Sequence, residues 1–218
     1  FLGISTDNLL SAGAETIYMV CISLFIGAII AFPLAILLYL TRKNGMYQNR
    51  FVNGLLNIII NVIRSTPFII MLVCVMPLTK VLVGTRIGTK AALVPLTIYI
   101  APYLARLMEG ALLETKAGII EAAEAMGATP LQIVWHFILP ESLGSLILTI
   151  TTGTIGLIGA TAMAGYIGGG GIGNIALTYG YQQFNNRLMF FTVLILIIVV
   201  QLIQNLGTWA SAKIRRAR

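Results

Sequence analysis

The glycines near residue 170 form the first pattern with a known chemical use. Gly168, Gly170 and Gly173 have the G-x-G-x-x-G spacing of a turn that binds dinucleotide phosphates. Such a turn joins a strand to a helix, whereas this one follows a long apolar stretch. No Gly-Lys-Ser or Gly-Lys-Thr follows it, as the phosphate loop of nucleotide hydrolases requires. The pattern therefore predicts a tight or re-entrant turn and no nucleotide-hydrolysing site in this chain.

The side chains most capable of acid–base or metal chemistry are isolated from one another. His136 is the only histidine, and it lacks a placed partner for proton transfer, so we predict a structural or interfacial role. Cys21 and Cys74 both lie in apolar runs, which predicts inert buried thiols rather than a disulfide or a metal pair. The sequence therefore predicts no catalytic, metal-binding or cofactor-binding residue, and the chain is not expected to be an enzyme.

Charged residues inside apolar runs are rare and costly, at about 2.5–3.5 kcal/mol near the centre of a membrane helix. Arg64 lies in such a run. We favour an Arg64 that extends its head to the membrane interface over an Arg64 that holds a helix break before Pro67. Arg106 and Glu109 are three residues apart, a spacing that predicts an ion pair on one helix face.

The composition indicates a membrane protein. The chain has 218 residues, of which 58% are hydrophobic and only 10% are charged, whereas a soluble domain carries about 25% charged residues. The net charge of +7 reads as a topology signal and as contact with anionic lipid. We predict an all-α membrane protein with one domain over residues 1–218 and five spans of suitable length, at residues 16–41, 51–79, 89–113, 142–166 and 188–212.

The distribution of Lys and Arg predicts that the N-terminus lies outside and the C-terminus inside. This orientation places eight cations inside and four outside. The inside cations are Arg42, Lys43, Arg50, Lys116, Lys213, Arg215, Arg216 and Arg218, and the outside cations are Lys80, Arg86, Lys90 and Arg187.

The longest inside connection, which we call the elbow segment, covers residues 114–140. Good helix formers from Lys116 onward end at Gly127, a residue typical of helix C-termini. Residues 129–132, Thr-Pro-Leu-Gln, then form a capping-box sequence. We therefore predict two short helices that meet at Gly127 and lie on the cytoplasmic surface.

The fourth predicted span is rich in small residues and threonine, which favours close helix packing and hydroxyl bonds across helices. Two interpretations are compatible with this composition: tight packing within one subunit, or a helix at a pore or symmetry axis. Met163 is the only bulky side chain in residues 160–165. A flexible thioether suits a gate that seals and yields, but it equally suits a gap filler against the fifth span.

The elbow segment resembles the EAA motif of the permease subunits of bacterial ABC importers. That motif has Glu-Ala-Ala, three residues, Gly, nine residues, and then Ile-x-Leu-Pro, and this chain departs from it only in having Phe137 for Ile. The matching residues are Glu121, Ala122, Ala123, Gly127, Leu139 and Pro140. The segments that resemble the methionine importer permeases in particular are residues 64–70, 92–97, 101–106, 125–130 and 168–181.

The resemblance implies a type I ABC importer fold with a cytoplasmic coupling-helix loop, in the bacterial inner membrane. It also implies a homodimer that takes methionine from a periplasmic or lipid-anchored binding protein. Two cytoplasmic ATPase subunits, which hold the ATP–Mg, would bind the six motif residues and drive alternating access. No nucleic acid is expected as a partner.

Two other functions stay open from the sequence. The first is a permease for another amino acid that uses the same machinery. The second is a secondary transporter or channel that works alone. The second is disfavoured because five spans do not divide into two repeated halves.

Overall fold

The structure is a computed structural model that describes residues 4–216, so Arg218 of the predicted inside set lies outside the described residues. This part of the chain is helical and contains no strand. Its α-helices are α1 (Thr6–Thr41), α2 (Arg50–Ser65), α3 (Phe68–Cys74), α4 (Met76–Val83), α5 (Thr89–Leu113), α6 (Ala117–Ala125), α7 (Pro130–Ile133), α8 (Leu139–Ala164), α9 (Ile172–Ile175) and α10 (Asn186–Arg216). Two π-helical stretches, Val134–Ile138 and Ala176–Gln182, continue α7 and α9.

Within residues 4–216, four helical stretches are long and apolar enough to cross a membrane, and α2 with α3 forms a bent fifth. α5 has the bounds that we predict for the third span. α1 begins at Thr6 rather than at residue 16, because the Ser5 hydroxyl accepts a hydrogen bond from the Asn8 N–H and caps an earlier start. The multi-pass character of the predicted fold is confirmed.

The second predicted span, residues 51–79, is broken in the structure. α2 ends at Ser65 and α3 begins at Phe68 with a bend of 104° between them. Pro67 lacks the N–H that would continue the helix, and it disfavours a helical conformation at the residue before it. Thr66 accordingly has an extended ψ of 122°.

Small residues bring the long helices together. A Cβ built at Gly153 of α8 would lie 2.5 Å from Leu104 Cδ2 of α5, and one at Gly207 of α10 would overlap the Thr151 side chain of α8. α1 packs chiefly against α5, and α8 lies between α5 and α10. Glycine at these contacts lets α8 approach both neighbours closely.

The sequence predicts that threonine hydroxyls of α8 bond across helices, but in the structure four of them bond within their own helix. Thr149, Thr151, Thr152 and Thr154 each donate to the carbonyl four residues earlier in their own helix, at 2.8–3.1 Å. A hydroxyl in an apolar helix can satisfy its proton locally. The small side chains of this span therefore serve close packing, and these four threonine hydroxyls bond within α8.

The glycine-rich turn after α8 is held by α1. The Glu15 carboxylate accepts the Gly171 N–H and the Thr16 hydroxyl accepts the Ile172 N–H, both at 2.9 Å. Gly170 and Gly171 have positive φ values of 72° and 92°, which only glycine adopts at little cost. Dense protein contact at this turn fits the predicted tight turn.

The prediction that both cysteines are buried is wrong. Cys21 and Cys74 are free thiols and are exposed on the chain. Ile17 and Phe25, one helical turn to either side of Cys21, are both 67% exposed. An apolar helix face in a membrane protein indicates lipid contact as readily as a protein core.

Candidate functional site

The elbow segment begins where α5 ends at Leu113 and continues through α6. Its first helix ends in a Schellman motif, in which the last carbonyls of α6 are satisfied by the residues that follow. The Gly127 N–H donates to Glu124 O at 2.9 Å, and the Ala128 N–H donates to Ala123 O at 3.1 Å. Gly127 has φ of 78°. The predicted turn at Gly127 is therefore confirmed in position and conformation.

The second helix of the elbow segment begins with the predicted capping box. The Thr129 side chain and the Gln132 side chain each cap the backbone of the other residue, and the Thr129 N–H donates to Gln132 Oε1 at 2.8 Å. Because Pro130 follows immediately, the chain enters this helix without an unsatisfied N–H at its first position.

The second helix is not the separate surface helix that we predict. α7 runs through the π-helical stretch Val134–Ile138 directly into α8, and the continuous helix covers Pro130–Ile167. Pro140 cannot donate a backbone hydrogen bond, and a wider π turn just before it accommodates the missing donor. The second half of the elbow and the fourth span therefore share one continuous helix.

The six motif residues divide into exposed and buried sets. Glu121, Ala122 and Gly127 are exposed. Ala123 is fully buried in the core cluster and Leu139 is 8% exposed. Pro140 is half-buried. The sequence does not distinguish Ala122 from Ala123, yet only the Ala122 side chain is exposed.

Exposed apolar side chains beside the motif were not predicted. Met126 is 69% exposed and Leu131 is 58% exposed, on either side of Gly127. Met126 directly follows α6, and Leu131 lies in α7 at the start of the continuous helix Pro130–Ile167. A large hydrophobic residue on either side of a turn glycine is the sequence signal that could have identified them.

The lone histidine of the elbow has a local role. His136 is exposed, and its Nδ1 lies 3.2 Å from Gln132 O in the preceding turn. Its neighbour Trp135 lies against Phe32 of α1, with ring centroids 6.0 Å apart. The structural or interfacial role of His136 stays a prediction.

The charged residues of the spans lie near the break in the second span and near the elbow. Arg64 is exposed, and its guanidinium carbon lies 5.9 Å from the centre of the Tyr103 ring. Among residues 4–216 no hydrogen bond from Arg64 holds the break. Arg106 forms the predicted ion pair with Glu109 at 2.7 Å, and it also donates to Asn57 of α2.

Met163 lies on an outward face of α8. It is 43% exposed. Thr152 and Gly159 on the same face are exposed as well, and a Cβ at Gly159 would have no atom within 4 Å. This face of α8 is therefore an open strip of small residues with one flexible side chain.

The fold and the elbow together define a class: a multi-pass helical membrane protein that carries a structured segment outside its spans. The model of the family described as "Binding-protein-dependent transport system inner membrane component" matches residues 23–216. The chain belongs to this family. Its matched relatives are transport permeases rather than enzymes.

The similarity to individual relatives covers almost the whole chain. A probable D-methionine transport system permease of Vibrio cholerae is 43% identical over 99% of this chain and 95% of that protein. A methionine import system permease of Bacillus subtilis is 43% identical over 95% of this chain and 93% of that protein.

Solved structures agree with the fold. A chain of an inward-facing MetNI methionine ABC transporter superposes with a TM-score of 0.92 at 42% identity, over 97% of this chain and 99% of that chain. A more distant amino acid ABC transporter has a TM-score of 0.79 at 17% identity, over 95% of this chain and 94% of that chain. The predicted type I importer fold is confirmed.

Proposed function

We propose that this chain is the membrane-spanning subunit of an ATP-driven importer that moves methionine across the bacterial inner membrane by alternating access. Relatives named for methionine transport match nearly end to end in both chains at more than 40% identity. The observation that carries the proposal is this similarity, which is joined by a TM-score of 0.92 to a chain of a methionine ABC transporter.

The importer consists of two copies of this chain, two cytoplasmic ABC ATPase subunits and a periplasmic or lipid-anchored methionine-binding protein. ATP and Mg²⁺ bind the ATPase subunits. Residues 1–218 form one transmembrane domain, with the N-terminus outside and the C-terminus inside. The tail supports this orientation, because Lys213, Arg215 and Arg216 occupy the last turn of α10 and can contact anionic lipid.

The elbow segment is the contact with the ATPase. Glu121 offers a charge, Ala122 allows close approach, and the exposed side chains of Met126 and Leu131 add an apolar contact. Ala123, Leu139 and Pro140 do not touch the partner. They position the contact instead, because Ala123 packs within the chain and the Leu139–Pro140 pair begins α8.

The lever is the helix that follows. It has 38 residues, or about 57 Å at 1.5 Å per residue. When the ATPase subunits close, they move the elbow, and the helix transmits this motion to the open face of α8. Met163 on that face is the gate, where the two copies of the chain meet across the pathway.

Affinity purification of the tagged chain from its native membrane tests the assembly. We expect an ABC ATPase to copurify in equal stoichiometry, because the elbow exposes apolar surface that a partner must cover. A matched preparation with Ala122→Glu should lose the ATPase while the permease still inserts. The new side chain is larger than alanine, and it places a second negative charge beside Glu121. Purification of the unmodified chain without any ATPase, combined with methionine transport by the chain alone, would overturn the proposal.

A further inference from the structure

A cleft opens between α5, α8 and α10 at the elbow end of the bundle. It encloses about 370 Å³, which lies within the usual range for sites that hold small molecules. Its walls bring together charged residues from the α5 and α10 ends of the bundle, namely Arg106, Glu114 and Arg215. Neither the motif nor the gate accounts for this cleft.

One end of the cleft carries two opposite charges that retain open hydrogen-bonding positions. Arg215 Nη2 donates to Ser145 Oγ at 2.9 Å, and the Ser145 hydroxyl donates to the Glu114 carboxylate. The Arg215 and Glu114 side chains are 4.0 Å apart and are 57% and 64% exposed. The Arg215 guanidinium and the Glu114 carboxylate can therefore each bind a further charged group, because neither side chain is buried.

The other end of the cleft is already balanced. Arg106 pairs with Glu109 at 2.7 Å and donates to Asn57, so its charge has a resident partner. The middle is apolar, with Leu107 of α5 facing the cleft together with Leu148 of α8. Gly110 also lines the cleft from α5, and a Cβ at Gly110 would have no atom within 4 Å. Empty space therefore continues from the charged end along an apolar wall.

The cleft shares a helix face with the gate. Its lining residues Ser145, Leu148 and Thr152 are three or four residues apart and lie on one face of α8. Gly159 and Met163 lie further along the same face. Thr152 and Met163 are separated by about 16 Å along α8, at 1.5 Å per residue. The cleft therefore lies on the elbow side of the gate.

We propose that this cleft binds a zwitterionic amino acid after it has passed the gate. The ligand's carboxylate pairs with Arg215, whose planar guanidinium can donate two parallel hydrogen bonds to it. The ligand's ammonium group pairs with Glu114, and its apolar side chain lies over Gly110 between Leu107 and Leu148. This assignment rests on the proposed function, which supplies methionine as the amino acid.

Protection of an introduced cysteine tests the site in the complete nucleotide-free transporter in detergent. Because Cys21 and Cys74 are exposed, both are first replaced by serine, and the Thr152→Cys variant is then labelled with a maleimide. Methionine at about four times its dissociation constant should slow labelling about fivefold, as single-site occupancy requires. Methionine methyl ester lacks the carboxylate and 4-(methylthio)butyrate lacks the ammonium, so neither should protect. Arg215→Gln in the same background should abolish protection by methionine.

Each unfavourable result rejects a different part of the proposal. A labelling rate that is unchanged by methionine overturns the site. Equal protection by the two single-charge analogues overturns the zwitterion assignment. An unmodified transporter that imports methionine, together with a Thr152→Cys variant that methionine does not protect, refutes the cleft and leaves the proposed function standing. An unmodified transporter that imports no methionine refutes the proposed function itself.

A filled cleft gives a second measurement. Gly110→Phe places a ring in the open space, whereas Gly54→Phe is a matched control on α2, where a Cβ also meets no atom within 4 Å. We expect Gly110→Phe to lose methionine uptake while the ATPase still copurifies, and Gly54→Phe to retain uptake. Normal uptake by Gly110→Phe would contradict a ligand that must pass through this cleft.

Discussion

Replacement of Gly127 by valine tests whether the elbow geometry sets ATPase binding. Gly127 has φ of 78°, and a Cβ added there would meet no atom within 4 Å. The variant therefore suffers backbone strain rather than a steric clash. For an L-residue the left-handed conformation costs roughly 1–2 kcal/mol, and a β-branched residue lies at the unfavourable end of this range.

The strained chain has one alternative, which is to abandon the turn. It would then lose the hydrogen bonds from the Gly127 and Ala128 N–H groups to Glu124 O and Ala123 O, at about 0.5–1.5 kcal/mol each. It would also withdraw Ala123 from the core. Because both routes cost at least about 1 kcal/mol, the correctly shaped elbow should be about 5–30-fold less populated relative to its alternatives.

The assay is equilibrium binding of the purified ATPase to permease variants in detergent. We expect Gly127→Val to weaken binding by at most about 30-fold, and Gly127→Asn to weaken it less, because asparagine tolerates the left-handed region. Gly118→Val is the control, since Gly118 lies on α6 without a positive φ and with open space around it. If Gly127→Val and Gly118→Val bind the ATPase equally well, the elbow geometry does not set the affinity.

Three further predictions concern the spans. Arg64→Lys should retain uptake, because lysine keeps the charge near the Tyr103 ring, and a tenfold loss would instead favour a role for the guanidinium fork. Met163→Cys should form a disulfide with the second copy in only one nucleotide state, whereas a transporting variant that never cross-links contradicts the gate. Glu109→Gln should lower the melting temperature of the complex, since it leaves Arg106 without its carboxylate partner at 26% exposure. We expect the free energy of unfolding to fall by about 2–3 kcal/mol, which is less than the roughly 3–5 kcal/mol lost when a fully buried ion pair is broken. An unchanged melting temperature would contradict this prediction.

The features that depend on a few consecutive residues were predicted well. The glycine at position 127 and the capping box of Thr129 and Gln132 are found where the sequence places them. The Arg106–Glu109 pair forms on one helix face as its spacing requires. Local hydrogen-bonding chemistry determines these features, so the sequence alone is sufficient.

The features that depend on neighbouring helices were not predicted. Nothing local reveals that Ala123 is buried while Ala122 is exposed, because the distinction depends on how α6 packs against the helix that follows it. The continuity of α7 with α8 depends likewise on a π turn before Pro140. Hydropathy also cannot separate an exposed Cys21 from a buried one, since lipid and a protein core are both apolar.

The charged ends of α5 and α10 show the same limit. Glu114 and Arg215 are far apart in the sequence, and no motif links them. Packing of both helices against α8 places them 4.0 Å apart beside Ser145. A site made from three helices becomes visible only when the fold is known.

Uptake of radiolabelled methionine into proteoliposomes tests the central claim most directly. The vesicles contain this chain with its ATPase, and the methionine-binding protein and ATP–Mg are supplied on their respective sides. The account predicts accumulation that requires ATP hydrolysis, the ATPase and the binding protein together, and that unlabelled methionine suppresses. Accumulation without the ATPase, or ATP-driven accumulation of another amino acid and not of methionine, would contradict it.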